Sequence, residues 1–189
     1  MNKDNYEVDK EMTIKDFLET NKLHKRKTDV TTIKNKEIIR LDKKIEKDSK
    51  IKILTRGAEM GNRIYRRSLS MILAKAVYEN FPSCKLSIEH SLSNGIYCEL
   101  HRNCPLDQEE VKKIKLKMKE YVDKDLEIKK HIFNKSEVKE IYEKQGFKDR
   151  LKNLEYINKD KFVLYEIDGY YDYFYHEMLP STSYLELFD

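Results

Sequence analysis

The chain has 189 residues, of which 38 are Lys or Arg and 34 are Asp or Glu, so 38% are charged and the formal net charge is +4. An apolar share of 39%, arranged in short periodic runs, excludes a disordered chain. No apolar run approaches the roughly 20 residues that span a bilayer, and the N-terminus lacks an apolar signal core. We therefore expect a cytoplasmic protein with no membrane partner. Its three cysteines cannot all pair with one another, so we also expect them to be reduced.

The first 56 residues predict short strands around one short helix. Thr13 stands three residues before Asp16, as an N-cap would, and predicts a helix over Ile14–Thr20. Strands are predicted at Tyr6–Val8, Val30–Ile33, Glu37–Leu41 and Lys50–Thr55. Arg56-Gly57 then interrupts the pattern and predicts a domain boundary.

The central third predicts two long helices on either side of a hairpin. Apolar residues keep helical spacing over Asn62–Asn80, and Pro82 ends the helix. Strands Lys85–Glu89 and Gly95–His101 flank a turn that contains Asn94. Asp107, with an acidic residue three positions later, caps a second helix that runs to about Val122.

The last third alternates strands and helices and ends in an acidic, aromatic tail. It predicts a strand, a helix that Ser136 opens and Gly146 ends, a short helix, and two strands separated by Asp168-Gly169. The strands and the short helix are Glu127–Phe133, Lys148–Leu154, Phe162–Ile167 and Tyr170–Glu177. From Leu164 to Asp189 there are six acidic residues and no Lys or Arg. The pattern predicts an α+β fold with antiparallel strands.

Several clusters of polar residues carry possible chemistry. The spacing His90, Cys98, His101, Cys104 offers thiolates and imidazoles, but strand alternation places Cys98 and His101 on opposite faces, so we expect no zinc site. His90-Ser91 and His176 with Ser181 contain the residue types of nucleophilic catalysis, but turn and loop hydrogen bonds are the favoured account of these serines. The chain has neither a Gly-x4-Gly-Lys-Ser/Thr nor a Gly-x-Gly-x-x-Gly run, so it contains no phosphate-binding loop of either kind.

Three motifs resemble known families. They are Tyr-Arg-Arg-Ser-Leu at Tyr65–Leu69, the sequence of the predicted hairpin at Ile88–Glu99, and the C-terminal sequence at Tyr170–Thr182, called the closing motif. They resemble the second additional (editing) domain of threonyl-tRNA synthetase, and residues 1–56 are similar to the TGS domain, a β-grasp fold that precedes it. The motifs resemble more closely a bacterial family in which this pair precedes a uridine kinase-type P-loop domain.

The resemblance implies the fold class, the domain division and the partners. We expect a small β-grasp (TGS-like) unit over 1–56 and, over 57–189, a threonyl-tRNA synthetase editing-domain-like antiparallel sheet with helices. A P-loop kinase domain is expected after residue 189, as the C-terminal partner in the same polypeptide. This chain then needs no cofactor, whereas ATP and Mg are expected for the kinase domain.

The residues that match the synthetase editing site have lost its chemistry. That site uses His-x-x-x-His on the first helix plus a Cys and a His in the closing motif, and the matching positions here are Arg67, Met71, Phe174 and Met178. An arginine is not a base at neutral pH, and Met and Phe transfer no protons. We therefore expect a ligand-binding or regulatory module, with a nucleotide or an RNA as its possible ligand.

The motif positions also suggest which residues bind the ligand. The candidate contacts are Arg66, Arg67, His90, Ser91, Tyr97, Cys98, Asp172, Tyr175, Ser181 and Thr182. One alternative is an aminoacyl-ester hydrolase that uses His90 or His176 as base and Cys98 or Ser181 as helper. The other is an RNA-binding module that uses the basic N-terminal face, where residues 1–60 carry 16 basic and 12 acidic side chains.

Overall fold

The computed structural model describes residues 5–23, 29–34, 37–82, 84–92 and 95–189. The helices are α1 (Ile14–Thr20), α2 (Glu59–Asn80), α3 (Gln108–Asp123), α4 (Lys135–Lys144) and α5 (Lys148–Tyr156), with a 3-10 turn at Thr182–Tyr184. The strands are β1 (Asn5–Glu7), β2 (Met12–Thr13), β3 (Asp29–Lys34), β4 (Glu37–Ile39), β5 (Lys44–Ile45), β6 (Lys50–Thr55), β7 (Lys85–Leu92), β8 (Gly95–His101), β9 (Lys129–Phe133), β10 (Phe162–Ile167) and β11 (Tyr170–Asp172). These helices and antiparallel strands confirm the predicted α+β class. The hairpin turn position Asn94 lies outside the described residues.

The chain divides into two compact units. The first consists of residues 1–126 and 177–189, and the second of residues 127–176. The domain boundary after residue 56 stays a prediction.

The N-terminal part of the first unit contains an antiparallel sheet in the order β1-β6-β3-β4, as well as the short ladder β2–β5. Thr13 caps α1 as predicted, because its hydroxyl accepts a hydrogen bond from the Asp16 amide. The apolar face of α1 is buried among the residues of this part, and its core side chains are Val8, Ile14, Leu18, Leu41 and Ile51. Each such aliphatic side chain stabilises the fold by about 1.5–3 kcal/mol relative to exposure.

Two long helices and a hairpin complete the first unit. Helix α2 begins at Glu59, three residues before the predicted start, and its N-terminal turn runs close to the end of β6. Helix α3 begins with the predicted cap: the Asp107 carboxylate accepts from the Glu110 amide, and the Glu110 carboxylate accepts from the Asp107 amide. Strands β7 and β8 pair with an irregularity between Ile88 and Ser91.

The second unit is a three-stranded antiparallel sheet in the order β11-β10-β9 with helices α4 and α5. Its core consists of Val138, Tyr142, Leu154, Phe162 and Leu164. The Asp168-Gly169 connection is confirmed as a tight turn in which both residues have positive φ. Gly146 has φ 72° after α4, as a C′ glycine does.

Several predicted boundaries were wrong. Helix α4 is opened by Asn134 rather than Ser136, because the Asn134 side chain forms a capping box with Glu137. Strand β4 ends at Ile39, since a turn follows in which the Lys43 amide donates to the Arg40 carbonyl. Strand β9 begins at Lys129, two residues after the predicted start.

The largest error concerns the predicted strand Tyr170–Glu177, of which only Tyr170–Asp172 is a strand. The Asp172 carboxylate turns back to accept a hydrogen bond from the Tyr173 amide. His176 then has φ 66°, which is incompatible with an extended strand. The aromatic run Tyr173–Tyr175 is therefore not part of a strand.

Candidate functional site

Two neighbouring arginines of α2 are each anchored to a main-chain carbonyl. Arg66 Nη2 donates to the carbonyl oxygen of Gly95 at 2.6 Å, and Arg67 Nη1 donates to the carbonyl oxygen of Glu177 at 2.6 Å. Both side chains are half-buried. Arg66 thus ties α2 to the hairpin, and Arg67 ties α2 to the closing segment, which we define as residues 177–189.

Buried hydroxyls fix the closing segment to α2 and α3. The fully buried Ser68 Oγ donates to the Ile64 carbonyl and accepts from the Leu179 amide, both at 2.9 Å. The Thr182 hydroxyl, also fully buried, donates to the carbonyl of Tyr121. These side chains supply the partners that the main chain of a buried, irregular segment requires.

The chain beyond the 3-10 turn is held by Tyr65. Its hydroxyl donates to the Leu187 carbonyl at 3.0 Å and accepts from the Leu187 amide at 2.8 Å. The guanidinium of Arg56 lies 5.3 Å from the centre of the Tyr65 ring. The last residues of the chain are therefore packed beside α2.

Ser181 is bound to a carboxylate. Its hydroxyl donates to Asp125 Oδ1, and the Ser183 amide points to the same oxygen. Burial raises the pKa of Asp125, but the hydrogen bonds from the two serines outweigh it and leave the pKa below its ordinary value. An ionised Asp125 that orders this loop accounts for the Ser181 contacts.

The hairpin has one half-buried and one exposed face. On β8, Cys98 shares the half-buried face with Ile96 and Leu100, as the alternation predicted. Burial raises the pKa of the Cys98 thiol, so the thiol is less readily ionised than usual. The rings of His90 and Tyr97 lie 5.5 Å apart, and both side chains are exposed.

Asp172 and Tyr175 belong to the second unit. The Asp172 carboxylate is 5% exposed and accepts from Arg150 and from the Tyr170 hydroxyl. The Arg150 guanidinium also lies 4.5 Å from the centre of the Phe147 ring. Tyr175 is 67% exposed.

Of the four positions that were matched to editing-site residues by resemblance, two are buried and two are half-buried. Met71 is 0% and Met178 1% exposed, both in the first unit. Arg67 bonds to the closing segment as described above, and Phe174 is half-buried in the second unit. Thioethers at these places contribute apolar contacts and offer no titratable group.

A cavity of about 670 Å³ lies in the first unit between α2, the half-buried face of the hairpin, α3 and the closing segment. We call it the hairpin cavity. Its apolar lining consists of Leu69, Leu73, Val77, Leu86, Ile96, Leu100, Leu106, Val111, Ile114, Met118, Leu187 and Phe188. Its polar and charged lining includes Arg56, Asn62, Arg66, Cys98, Lys115 and Asp189.

Of the ten residues predicted as ligand contacts, Arg66 and Cys98 line this cavity. Nothing is described of the Ser91 side chain, whose main chain belongs to β7. Lys115 and Asp189 also line the cavity but were not predicted; they form an ion pair across 74 residues. No local pattern signals such a pair.

The described ranges contain no metal-binding cluster of side chains and no helix that could cross a membrane. Within them, no group of three or more His, Cys, Asp or Glu side chains is arranged to hold a metal ion. The four side chains considered for zinc differ in exposure: Cys98 is half-buried, whereas His90, His101 and Cys104 are exposed. No helix of the described part is long and apolar enough to cross a membrane.

The chain is similar to threonine–tRNA ligases. It is 31% identical to that of Phenylobacterium zucineum over 147 residues, which are 77% of this chain and 22% of the relative. It is 28% identical to that of Thermotoga neapolitana over 162 residues, which are 84% of this chain and 25% of the relative. With the ligase of Symbiobacterium thermophilum it shares 28% over 152 residues, or 80% and 23% of the two chains.

No family model matches the chain. The chain spans about a quarter of the length of the curated relatives it matches. Most of this α+β chain is therefore similar to one part of threonine–tRNA ligases.

Proposed function

We propose that this chain is a non-hydrolytic binding or regulatory module derived from the editing region of a threonyl-tRNA synthetase. One observation carries the proposal: the side chains at the positions matching the editing chemistry serve structure. Arg67 donates to the Glu177 carbonyl, and Met71 and Met178 are buried. Ester hydrolysis needs a group that takes up and returns a proton, and none of these side chains does so near neutral pH.

The contacts of the alternative catalytic residues support the same proposal. Cys98 donates weakly to the carbonyl of Ile96, and its raised pKa disfavours the thiolate that a nucleophile needs. The Ser181 hydroxyl is directed at the Asp125 carboxylate. His90 lies against the Tyr97 ring on the exposed face of the hairpin. A hydrolase that used Cys98 or Ser181 would need that side chain to leave its present hydrogen-bond partner.

The proposal includes the protein in which the module acts. We infer a cytoplasmic, uridine kinase-type polypeptide whose P-loop domain follows residue 189 and holds ATP and Mg, with the present module as its regulatory or ligand-binding partner. A nucleotide or an RNA is the ligand class that this setting suggests. A reading frame that continues into a Gly-x4-Gly-Lys-Ser/Thr loop supports this setting, whereas ATP-dependent phosphorylation of uridine by the 189-residue chain alone would contradict it.

The proposed absence of ester hydrolysis is tested with tRNA charged with serine or threonine. A steady-state assay should show no ester cleavage by this chain above the buffer rate, while a full-length threonine–tRNA ligase serves as the positive control. Cleavage that disappears in His90→Ala or His176→Ala would establish the hydrolase alternative instead. The variants Cys98→Ser and Ser181→Ala then identify the assisting group.

A further inference from the structure

The hairpin cavity has the size and lining of a small-molecule site. Ligand sites typically measure about 300–1,000 Å³ and combine apolar walls with a few polar groups. The cavity measures about 670 Å³ and is lined from four directions by aliphatic side chains, such as Leu73 of α2, Leu100 of β8 and Ile114 of α3. Such walls favour a ligand whose body is apolar.

The charged lining of the cavity is mostly positive. Arg56 and Arg66 contribute guanidinium groups, and Lys115 contributes an ammonium group. Asp189 is the acidic member of the lining, and its side chain is 97% exposed. The ion pair that Lys115 forms with so exposed a carboxylate contributes little energy, so a competing anion displaces it at small cost.

The closing segment itself carries an apolar group and a carboxylate that are complementary to the hairpin cavity. Phe188 and Asp189 line the cavity side by side, and the carboxylate of Asp189 meets Lys115. An apolar group followed by a carboxylate is therefore complementary to the apolar wall and to the positive edge. Lys115 also holds the pKa of Asp189 below its usual value, in agreement with a preference for anions at this edge.

We propose that the hairpin cavity binds a small amphipathic carboxylate, with its aliphatic body between α2, the hairpin and α3 and its head group at Lys115. This inference rests on the binding role in the proposed function and adds a second ligand class to it, separate from the nucleotide or RNA that the kinase setting suggests. It places the ligand on the Cys98 face of the hairpin, away from the Arg67 and Met71 positions that match the editing chemistry.

The test uses decanoate, an apolar chain with one carboxylate, and the 189-residue chain. Isothermal titration should give one site per chain, and decyltrimethylammonium, which has the same body and the opposite charge, should bind at least tenfold more weakly. Bound decanoate should also slow the reaction of a thiol reagent with Cys98, which lines the cavity, while Cys104, which is exposed and outside it, reacts as before.

Two variants and one control make the test specific. Lys115→Glu should weaken decanoate binding at least tenfold, and Leu73→Trp, which fills the cavity, should abolish it. Lys112→Glu is the matched control, because Lys112 lies on the same helix, is exposed, pairs with Glu109 and does not line the cavity. Circular dichroism establishes that each variant is folded. Thiol protection in the wild type needs no variant at all.

The inference would be overturned by equal binding of decanoate and decyltrimethylammonium, by equal loss of affinity in Lys112→Glu and Lys115→Glu, or by an unprotected Cys98 at saturating decanoate. Self-association of the chain that rises with concentration and blocks Cys98 would assign the cavity to a second copy instead and would also overturn it. Ester cleavage is measured separately, so a failed decanoate test leaves the non-hydrolytic proposal standing. Observed cleavage would contradict that proposal whatever decanoate does.

Discussion

Replacing Gly61 by alanine tests how closely α2 is seated against the end of β6. A Cβ atom at Gly61 would lie 2.0 Å from the carbonyl oxygen of Thr55 and 2.8 Å from its carbonyl carbon. An ordinary contact begins near 3.4 Å, so the oxygen would have to move by roughly 1.4 Å. Because the obstructing atoms belong to the main chain, no side-chain rotation relieves the clash.

The expected loss of stability follows from two opposing effects. Overpacking of this kind costs about 1–3 kcal/mol and sometimes more, and a main-chain obstacle favours the upper end. In the opposite direction, alanine stabilises a helix by up to about 1 kcal/mol relative to glycine. We expect a net loss of about 2 kcal/mol for Gly61→Ala, which lowers the melting temperature of a chain of this size by roughly 4–8 °C.

Gly57→Ala is the matched control, four residues earlier, in the turn between β6 and α2. The nearest atom to its added Cβ is Thr55 Oγ1 at 3.7 Å, which is an ordinary contact. We expect a change within about 0.5 kcal/mol, as for an unstrained surface substitution. Thermal unfolding followed by circular dichroism compares the two variants. A Gly61→Ala protein that melts with the wild type would refute the close approach of α2 to β6.

Further predictions concern a buried hydroxyl, a helix cap and a buried carboxylate. Ser68→Ala leaves the Leu179 amide without its acceptor and should cost about 1–3 kcal/mol, with faster hydrogen exchange at Leu179 than in the wild type. Asp107→Ala should cost about 1 kcal/mol in urea unfolding by removing the cap of α3. Burial raises the pKa of Glu166, but hydrogen bonds from the Gly169 amide and His131 outweigh it and leave the pKa below 4.5. The ionised carboxylate therefore stabilises the fold above about pH 4.5, and this stabilisation is lost as the pH falls through the lowered pKa of the folded state. In Glu166→Gln, the free energy of unfolding should consequently fall less steeply on acidification than in the wild type, which is a flatter acid limb of the stability curve. An unchanged acid limb in Glu166→Gln, or unchanged exchange at Leu179 in Ser68→Ala, would contradict the respective contact.

Features with local causes were predictable from the sequence. The Asp107 cap, the Asp168-Gly169 turn and the alternating faces of β8 each depend on residues within a few positions of one another. The predicted strand after Asp172 was wrong because consecutive aromatic residues favour a strand only where a partner strand is present, and in the described part of the chain no strand pairs with residues 173–176. The side chain of Asp172 and the left-handed conformation of His176 determine the backbone there instead.

The candidate site was less predictable because distant segments build it. Arg67 meets Glu177 across 110 positions, and Ser68 meets Leu179 across 111. The hairpin cavity combines α2, the hairpin, α3 and the closing segment, and Lys115 and Asp189 come together only through this packing. The sequence motifs identified Arg66 and Cys98 as candidate contacts, but no spacing indicated that these two residues line the same cavity as Lys115.

The most direct test of the account is a single-turnover measurement of ester cleavage. Excess protein is mixed with tRNA charged with serine or threonine, and the loss of the ester is followed over time, so that slow product release cannot hide a chemical step. The account predicts the same ester half-life as in buffer, since Arg67, Met71 and Met178 provide no base. A half-life that shortens with protein concentration and returns to the buffer value in His90→Ala or His176→Ala would contradict the non-hydrolytic function.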